Sequence, residues 1–248
     1  MLKQTRSYLI SAIALFFFLN SCQEDQKDSG FLTFYYPIEE LKEGLIYEYQ
    51  PAINDSLPVN YWYYLVQEVE GVPYLIGNNY NSQFEVQQFV RERVGSESVL
   101  LEDFILYEDA EEDKKTPLKV SVLSNEVFPS YKLDSLKSYK MSLKWDIPQE
   151  EGTSITLNRS RTFLNFGTFD FEGVSRKCSI FKLEEHIEHF VEDDGYLEPI
   201  YPGIEFYASG IGLVYYKKVL AEGVELEYKL AKRYSMSEFE KKFSRSLK

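Results

Sequence analysis

The sequence predicts a mainly β fold with one or two short helices, and two observations carry that expectation. Aromatic residues make up 16% of the 248 residues, dominated by 20 Tyr and 18 Phe, and such side chains favour the pleated, half-buried surface of a sheet. Alternating apolar runs are also punctuated by the dipeptides Glu70-Gly71, Glu172-Gly173, Asp194-Gly195 and Glu222-Gly223, which suit tight turns between paired strands.

Before the first strand, residues 1–21 read as an export signal. A basic start (Lys3, Arg6) leads into an apolar stretch from Tyr8 to Leu19, shorter than the roughly 20 residues that cross a bilayer as a helix. The closing Leu19-Asn20-Ser21-Cys22 resembles the lipobox of bacterial lipoproteins. That resemblance implies cleavage before Cys22, diacylglycerol on its sulfur and a further acyl chain such as palmitate on its nitrogen, enough for stable anchoring. Residues 22–30 are then the lipidated cysteine and a flexible tether, and 31–248 a single β-rich domain with a candidate division into two lobes at 148–153. The tether sequence Gln-Glu-Asp-Gln-Lys-Asp fits a solvated linker equally well as an acidic tag for export to the outer face. Both faces of the outer membrane, periplasmic and cell-surface, therefore stay open.

Charge and cysteine usage narrow the rest. Forty acids against 27 Lys and Arg give −13, which falls to −15 once Lys3 and Arg6 leave with the signal. Such a surface repels polyphosphate, so nucleic acid is excluded as a partner, and an anionic membrane surface repels it too, leaving the lipid to hold it there. With Cys22 acylated, Cys178 has no disulfide partner and reads as a small buried hydrophobe.

Along the domain, a turn through Pro37 and Gly44 leads to a strand at Leu45 to Tyr49, and Val59 to Gln67 pairs with Val72 to Ile76 across Glu70-Gly71. Ser82 and Glu85 have capping-box spacing, and Val86, Phe89, Val90 and Val94 follow at helical intervals, which predicts a three-turn helix, with a strand as the alternative because of the β-branched residues. Val99 to Tyr107, Leu118 to Leu123 and Tyr139 to Trp145 are strands, and the charged 108–115 a solvated loop without the glycine and spacing of a calcium loop. After the 148–153 boundary come Ser154 to Leu157, Arg161 to Phe166, Thr168 to Phe171, Ser175 to Ile187, Phe206 to Ala208, Leu213 to Val219 and Val224 to Leu230. Ser237 and Glu240 form a second capping box, opening a short helix whose Met236, Phe239 and Phe243 should dock on the sheet.

Three segments, Tyr36-Pro37…Gly44…Tyr47-Glu48-Tyr49, Gly167-Thr168-Phe169 with Cys178-Ser179-Ile180, and Tyr207-Ala208-Ser209-Gly210-Ile211-Gly212-Leu213-Val214, resemble uncharacterised β-rich outer-membrane lipoproteins of bacteria with a Tyr-x-x-Gly-x-Gly-Leu-Val hairpin. The resemblance implies a curved antiparallel meander, half-barrel or sandwich-like, and carries no activity with it.

Chemistry is sparse. Gly210-Ile211-Gly212 lacks the third glycine and following helix of a dinucleotide loop and reads as a turn. No phosphate loop, nucleophile elbow or zincin motif occurs, and no cofactor is expected. His186 and His189, the only histidines, would share a metal ion if helical but face opposite ways on a strand. Eight residues separate Cys178 from His186, about 26 Å extended or 12 Å helical, too far for a thiol–imidazole pair. Among 40 acids, carboxylate pairs are unavoidable and uninformative. Tyr61, Trp62, Tyr63 and Tyr64 offer a candidate binding surface for a sugar or protein partner, half of it outward on a strand, with plain cross-strand packing as the alternative. The expectation is a lipid-anchored, non-enzymatic binding or envelope-interaction protein, its partner a glycan, an apolar ligand or an envelope protein. A carrier of lipid in a sheet cavity is second and a metal-assisted enzyme third.

Overall fold

Among the described residues, fourteen antiparallel strands follow one another up and down the chain: β1 (Leu45–Pro51), β2 (Asn60–Val69), β3 (Val72–Tyr80), β4 (Val86–Val94), β5 (Ser98–Asp109), β6 (Lys115–Lys119), β7 (Ser121–Pro129), β8 (Ser138–Asp146), β9 (Ser154–Phe171), β10 (Val174–Val191), β11 (Gly195–Leu197), β12 (Ile200–Ala208), β13 (Gly212–Ala221) and β14 (Val224–Tyr234). A helix, α1 (Met236–Phe243), follows β14. The structure is a computed structural model that describes residues 30–53, 56–109, 115–130, 137–148, 150, 152–191, 195–221 and 224–243. The export signal, Cys22 and the tether to Ser29 lie outside the described residues.

Twelve of these strands close into a barrel, because β14 returns to pair with β1 from Ile46↔Tyr234 to Pro51↔Tyr228. The expected half-barrel or sandwich is therefore corrected to a closed ring, which leaves no sheet edge along the closure. The short β6 and β11 stand outside the ring and extend β5 and β10 at one rim. The second edge of β5 is shared, Ser98 to Leu100 pairing with β7 and Ile105 to Asp109 with β6. Residues 148–153 join β8 to β9, which pair with each other from Asp146↔Ser154 onward within the same sheet.

The turns follow from their residues. Glu70 and Gly71 have φ 52° and 78°, and Glu172 and Gly173 have 52° and 77°, so both central residues are left-handed, as a two-residue hairpin that matches strand twist requires. The predicted helix at 86–94 is corrected to β4. Asn81 Oδ1 accepts the N–H groups of Gln83 and Glu85 at 3.0 Å each, so Asn81 builds the turn and the Ser82 capping box does not form. Residues four apart share a face on a strand as well as on a helix, which is why Val90 and Val94 are both buried here. The terminal capping box also moves: Ser235 caps α1, its Oγ accepting from the Glu238 N–H at 3.4 Å while Glu238 Oε2 accepts from the Ser235 N–H at 2.9 Å.

One end of the barrel is filled. Residues 30–44, which form two short 3-10 turns, insert Phe31, Phe34, Tyr35, Tyr36 and Leu41 into the rim where β1 begins, each at most 7% exposed. Phe31 packs on Phe128, Phe163 and Phe181 with ring centroids 5.8–6.0 Å apart. Gly212, at φ 98°, leaves room for the Tyr36 ring, whose Cδ1 would lie 2.5 Å from an added Cβ. The long β9–β10 hairpin bends over the same end, so that buried Phe171 and Tyr47 both lie under the Arg233 guanidinium. Core tyrosines satisfy their hydroxyls on backbone carbonyls, Tyr47 on Ile211 and Tyr49 on Leu213, both at 2.8 Å.

The outside carries α1 on one flank. Phe239 and Phe243 pack on Tyr61 and Phe84, and Lys242 Nζ and Tyr234 Oη both donate to the buried Glu48 Oε2 at 2.8 Å. Elsewhere outward positions hold ion pairs such as Arg91–Asp103 and Lys217–Glu225, both 2.7 Å. Among the described residues no helix is long and apolar enough to cross a membrane.

Candidate functional site

The other half of the barrel interior is hollow, lined by polar and apolar side chains in about equal measure. A cavity of about 250 Å³ lies between the plug and the opposite rim. Tyr35, Tyr36, Glu92, Arg161, Glu205 and Tyr207 line its plugged end, and Asn60, Trp62, Asn79, Gln88, Arg159, Tyr216 and Lys218 line it toward the open rim, where β2 and β4 begin and β13 ends. Strand alternation puts these side chains inward; Glu205 and Tyr207 share a face of β12, and Arg159, Arg161 and Phe163 a face of β9.

Two ion-pair clusters organise it. In the deeper one, Arg161 donates to Glu205 through Nε at 2.6 Å and Nη2 at 3.3 Å, and through Nη1 to the Val127 carbonyl at 3.4 Å. Tyr207 Oη donates to Glu205 Oε2 at 3.1 Å. Burial pushes the Glu205 carboxyl up, but the Arg161 guanidinium overrides it and holds the group below the ordinary carboxylate range. Beside it, burial raises the Glu92 carboxyl, opposed by the Tyr35 hydroxyl that donates to it and by the charge of Arg161. The second cluster lies nearer the rim. Arg159 and Lys218 both bind Glu185, Lys218 at 2.8 Å to Oε2 and 3.0 Å to Oε1. Burial works against the Glu185 charge, yet the two cations bring its carboxyl down to about 2.

The aromatic run on β2 divides as alternation requires. Trp62 and Tyr64 line the cavity, their rings stacked 5.4 Å apart at 5°, and Tyr64 accepts a 2.8 Å bond from the Tyr36 hydroxyl. Tyr61 faces outward under α1, and Tyr63 faces outward against Gly44. His186 and His189 lie on β10, three residues apart and so on opposite faces. His186 stands 3.7 Å from Glu198 and 3.8 Å from Glu188, and among the described residues no three His, Cys, Asp or Glu side chains are grouped for a metal ion. Cys178 is fully buried, and burial pushes its thiol up to about 11, so the uncharged form prevails at neutral pH.

The sequence reading missed Glu92, Arg159, Arg161, Glu185, Glu205 and Lys218. A signal for them exists, since each is a charge on the apolar parity of its strand: Glu185 follows Phe181 and Leu183 in step two, and Lys218 follows Val214 and Tyr216.

Closure, plug and hollow half define the class: a closed up-and-down β-barrel with a plugged end and a small cavity of mixed polar and apolar lining. No protein-family model matches the chain, and no curated protein matches it. Solved structures do. A candidate lipoprotein of Parabacteroides distasonis matches with a TM-score of 0.51 at 13% identity, covering 79% of this chain and 95% of that one. A candidate exported protein of Bacteroides fragilis with a YmcC-like fold matches with a TM-score of 0.47 at 13% identity, covering 77% and 94%. The hypothetical lipoprotein YmcC of Escherichia coli matches with a TM-score of 0.33 at 11% identity, covering 77% and 88%. At such identities the first of these likenesses shows the shared fold.

Proposed function

We propose that the protein is a lipid-anchored envelope protein that binds its ligand without converting it, and that the binding place is the hollow half of the barrel. One observation carries this reading: the same barrel is packed with aromatic side chains at one end and left open and charged at the other. Buried ion pairs are seldom more stable than apolar residues of the same volume, and the plugged end demonstrates that this sequence can fill a barrel with Phe, Tyr and Leu. A cavity that sets Arg159, Arg161, Lys218, Glu92 and Glu205 among apolar side chains such as Leu101 and Met141 matches a ligand site, apolar walls with a few placed polar groups. The lipobox at Leu19 to Cys22 and the lipoprotein name of the similar Parabacteroides distasonis structure support an envelope location, with Cys22 as the acylated residue.

The charged part of the lining weighs against a lipid carrier, since an acyl chain beside Arg159, Lys218 and Glu92 would strip them of water, although Leu75, Leu101, Phe104, Met141 and Leu226 give the same cavity an apolar side. A second reading has one specific observation behind it. Glu92 is raised and Glu205 lowered in one aromatic-lined cavity, the separation that sets a general acid apart from a base in glycoside hydrolysis. Native mass spectrometry of the full-length protein mixed with envelope glycan fragments separates the readings. Intact glycan adducts without shortened products are expected; shortened products that vanish in Glu92→Gln would establish a hydrolase, and retained phospholipid a carrier.

A further inference from the structure

We propose that the hollow half of the barrel recognises an anionic saccharide, a sugar ring bearing a carboxylate or phosphate group. The negative group would sit on Arg159 and Lys218, with the ring against Trp62 and Tyr216. This deepens the binding reading above and rests on it.

The charge is the first argument. The cavity wall holds three cations, Arg159, Arg161 and Lys218, against two carboxylates, Glu92 and Glu205, in a protein whose net charge is −13. Arg161 and Glu205 neutralise each other, and burial works against ionisation of Glu92. Arg159 and Lys218 share a single carboxylate, Glu185, which is 4% exposed and not part of the cavity lining. Burial and the neighbouring Arg159 charge lower the Lys218 ammonium while Glu185 opposes both, so two cations face one anion and the positive excess rests chiefly on Arg159. Arg159 meets Glu185 through Nε and Nη2, one edge of the guanidinium, so its Nη1 end remains to donate to a carboxylate or phosphate, whose geometry the fork matches.

The walls supply the rest. Trp62 and Tyr216 offer ring faces of the kind on which sugars stack. Asn60, Asn79 and Gln88 bring amides that can both donate to and accept from hydroxyls, and Asn79 Nδ2 already bonds to Asn60 Oδ1 and the Tyr61 carbonyl. At about 250 Å³ the space falls below the roughly 300–1,000 Å³ of sites for larger ligands. One ring fits; a longer glycan would enter by its end.

The test is calorimetric titration of the full-length protein in detergent with glucuronic acid, glucose 6-phosphate, glucose and inorganic phosphate. Both anionic sugars should bind about 10- to 100-fold more tightly than glucose, the range of a charge-assisted hydrogen bond, and should weaken with added salt. Arg159→Lys and Lys218→Gln should each reduce anionic binding about 10-fold and glucose binding by a smaller factor, so that the preference for the anion shrinks, their folding checked by circular dichroism. Glucose binding as tightly as the anions would overturn the charge inference while leaving the binding role standing. Inorganic phosphate binding as tightly as the sugar phosphate would overturn the saccharide part. If neither anionic sugar binds while other glycans form intact adducts in the mass spectrum, the inference fails alone; turnover there would overturn the binding role itself.

Discussion

Replacing Arg161 and Glu205 separately and together asks whether the polar interior serves the fold or its ligand. Arg161 is 6% exposed and Glu205 4% exposed, and they meet through two hydrogen bonds of 2.6 and 3.3 Å. Removing one partner strands a buried charge and costs about 3–5 kcal/mol. For a domain of this size that lowers Tm by roughly 6–20 °C in Arg161→Met or Glu205→Leu, at about 2–4 °C per kcal/mol. Replacing both leaves neither member of the pair stranded, only a Tyr207 hydroxyl and a Val127 carbonyl that each lose a partner, worth about 1 kcal/mol apiece, while Glu92 loses the favourable charge of Arg161 and shifts further toward its neutral form. The double variant should therefore unfold within about 2 kcal/mol of the wild type, or above it. Urea unfolding followed by circular dichroism measures this through the midpoint, with an unchanged m-value as the control. A double variant as unstable as either single one would refute the reasoning, because the ion pair would then be explained by stability alone.

Three further outcomes follow from single sites. Gly212→Ala combines a left-handed backbone with a Cβ 2.5 Å from Tyr36 and should cost about 2–4 kcal/mol, whereas Gly210→Asn, at φ 72° with open space around it, should cost less than about 1 kcal/mol in the same urea assay. Glu185, held at about 2 against an ordinary 4.5, contributes about 3 kcal/mol of stability. Its folded value is the lower one, so that stability is present above pH 4.5 and is lost as pH falls through 2; Glu185→Gln should flatten the urea midpoint across this window. Phe239→Ala should release α1 from Tyr61 and Phe84, read as faster amide exchange in 236–243 with the barrel amides unchanged.

Strand existence was legible because it is local: alternation and Glu-Gly turns mark β2, β3, β9 and β10 in the sequence itself. Closure was not, since it rests on one pairing between β1 and β14, strands nearly the whole domain apart, whose residues look like any other strand's. The plug was hidden for a related reason. Phe31, Phe34 and Tyr36 read locally as the lead into a strand, and only distant contacts, Phe31 on Phe128, Phe34 on Phe166 and Tyr36 at Gly212, reveal where they go. β4 was misread because Val86, Val90 and Val94 satisfy both periods. As for the site, Trp62 and Tyr64 were legible as aromatic and half of the run as outward, but the inner direction depends on the sense of closure. Arg159, Arg161, Glu205 and Lys218 drew no attention among 67 charged residues, although each interrupts an apolar face.

The most direct test of the central claim uses the two indole N–H signals of the protein, since Trp62 and Trp145 are its only tryptophans. Trp62 lines the cavity and Trp145 does not. In a 15N-labelled sample titrated with envelope glycan fragments, the hollow half as binding place predicts a saturable shift of the Trp62 indole with that of Trp145 nearly still. A saturable shift of outward-facing groups with Trp62 unmoved would contradict it and place the ligand on the outside of the barrel.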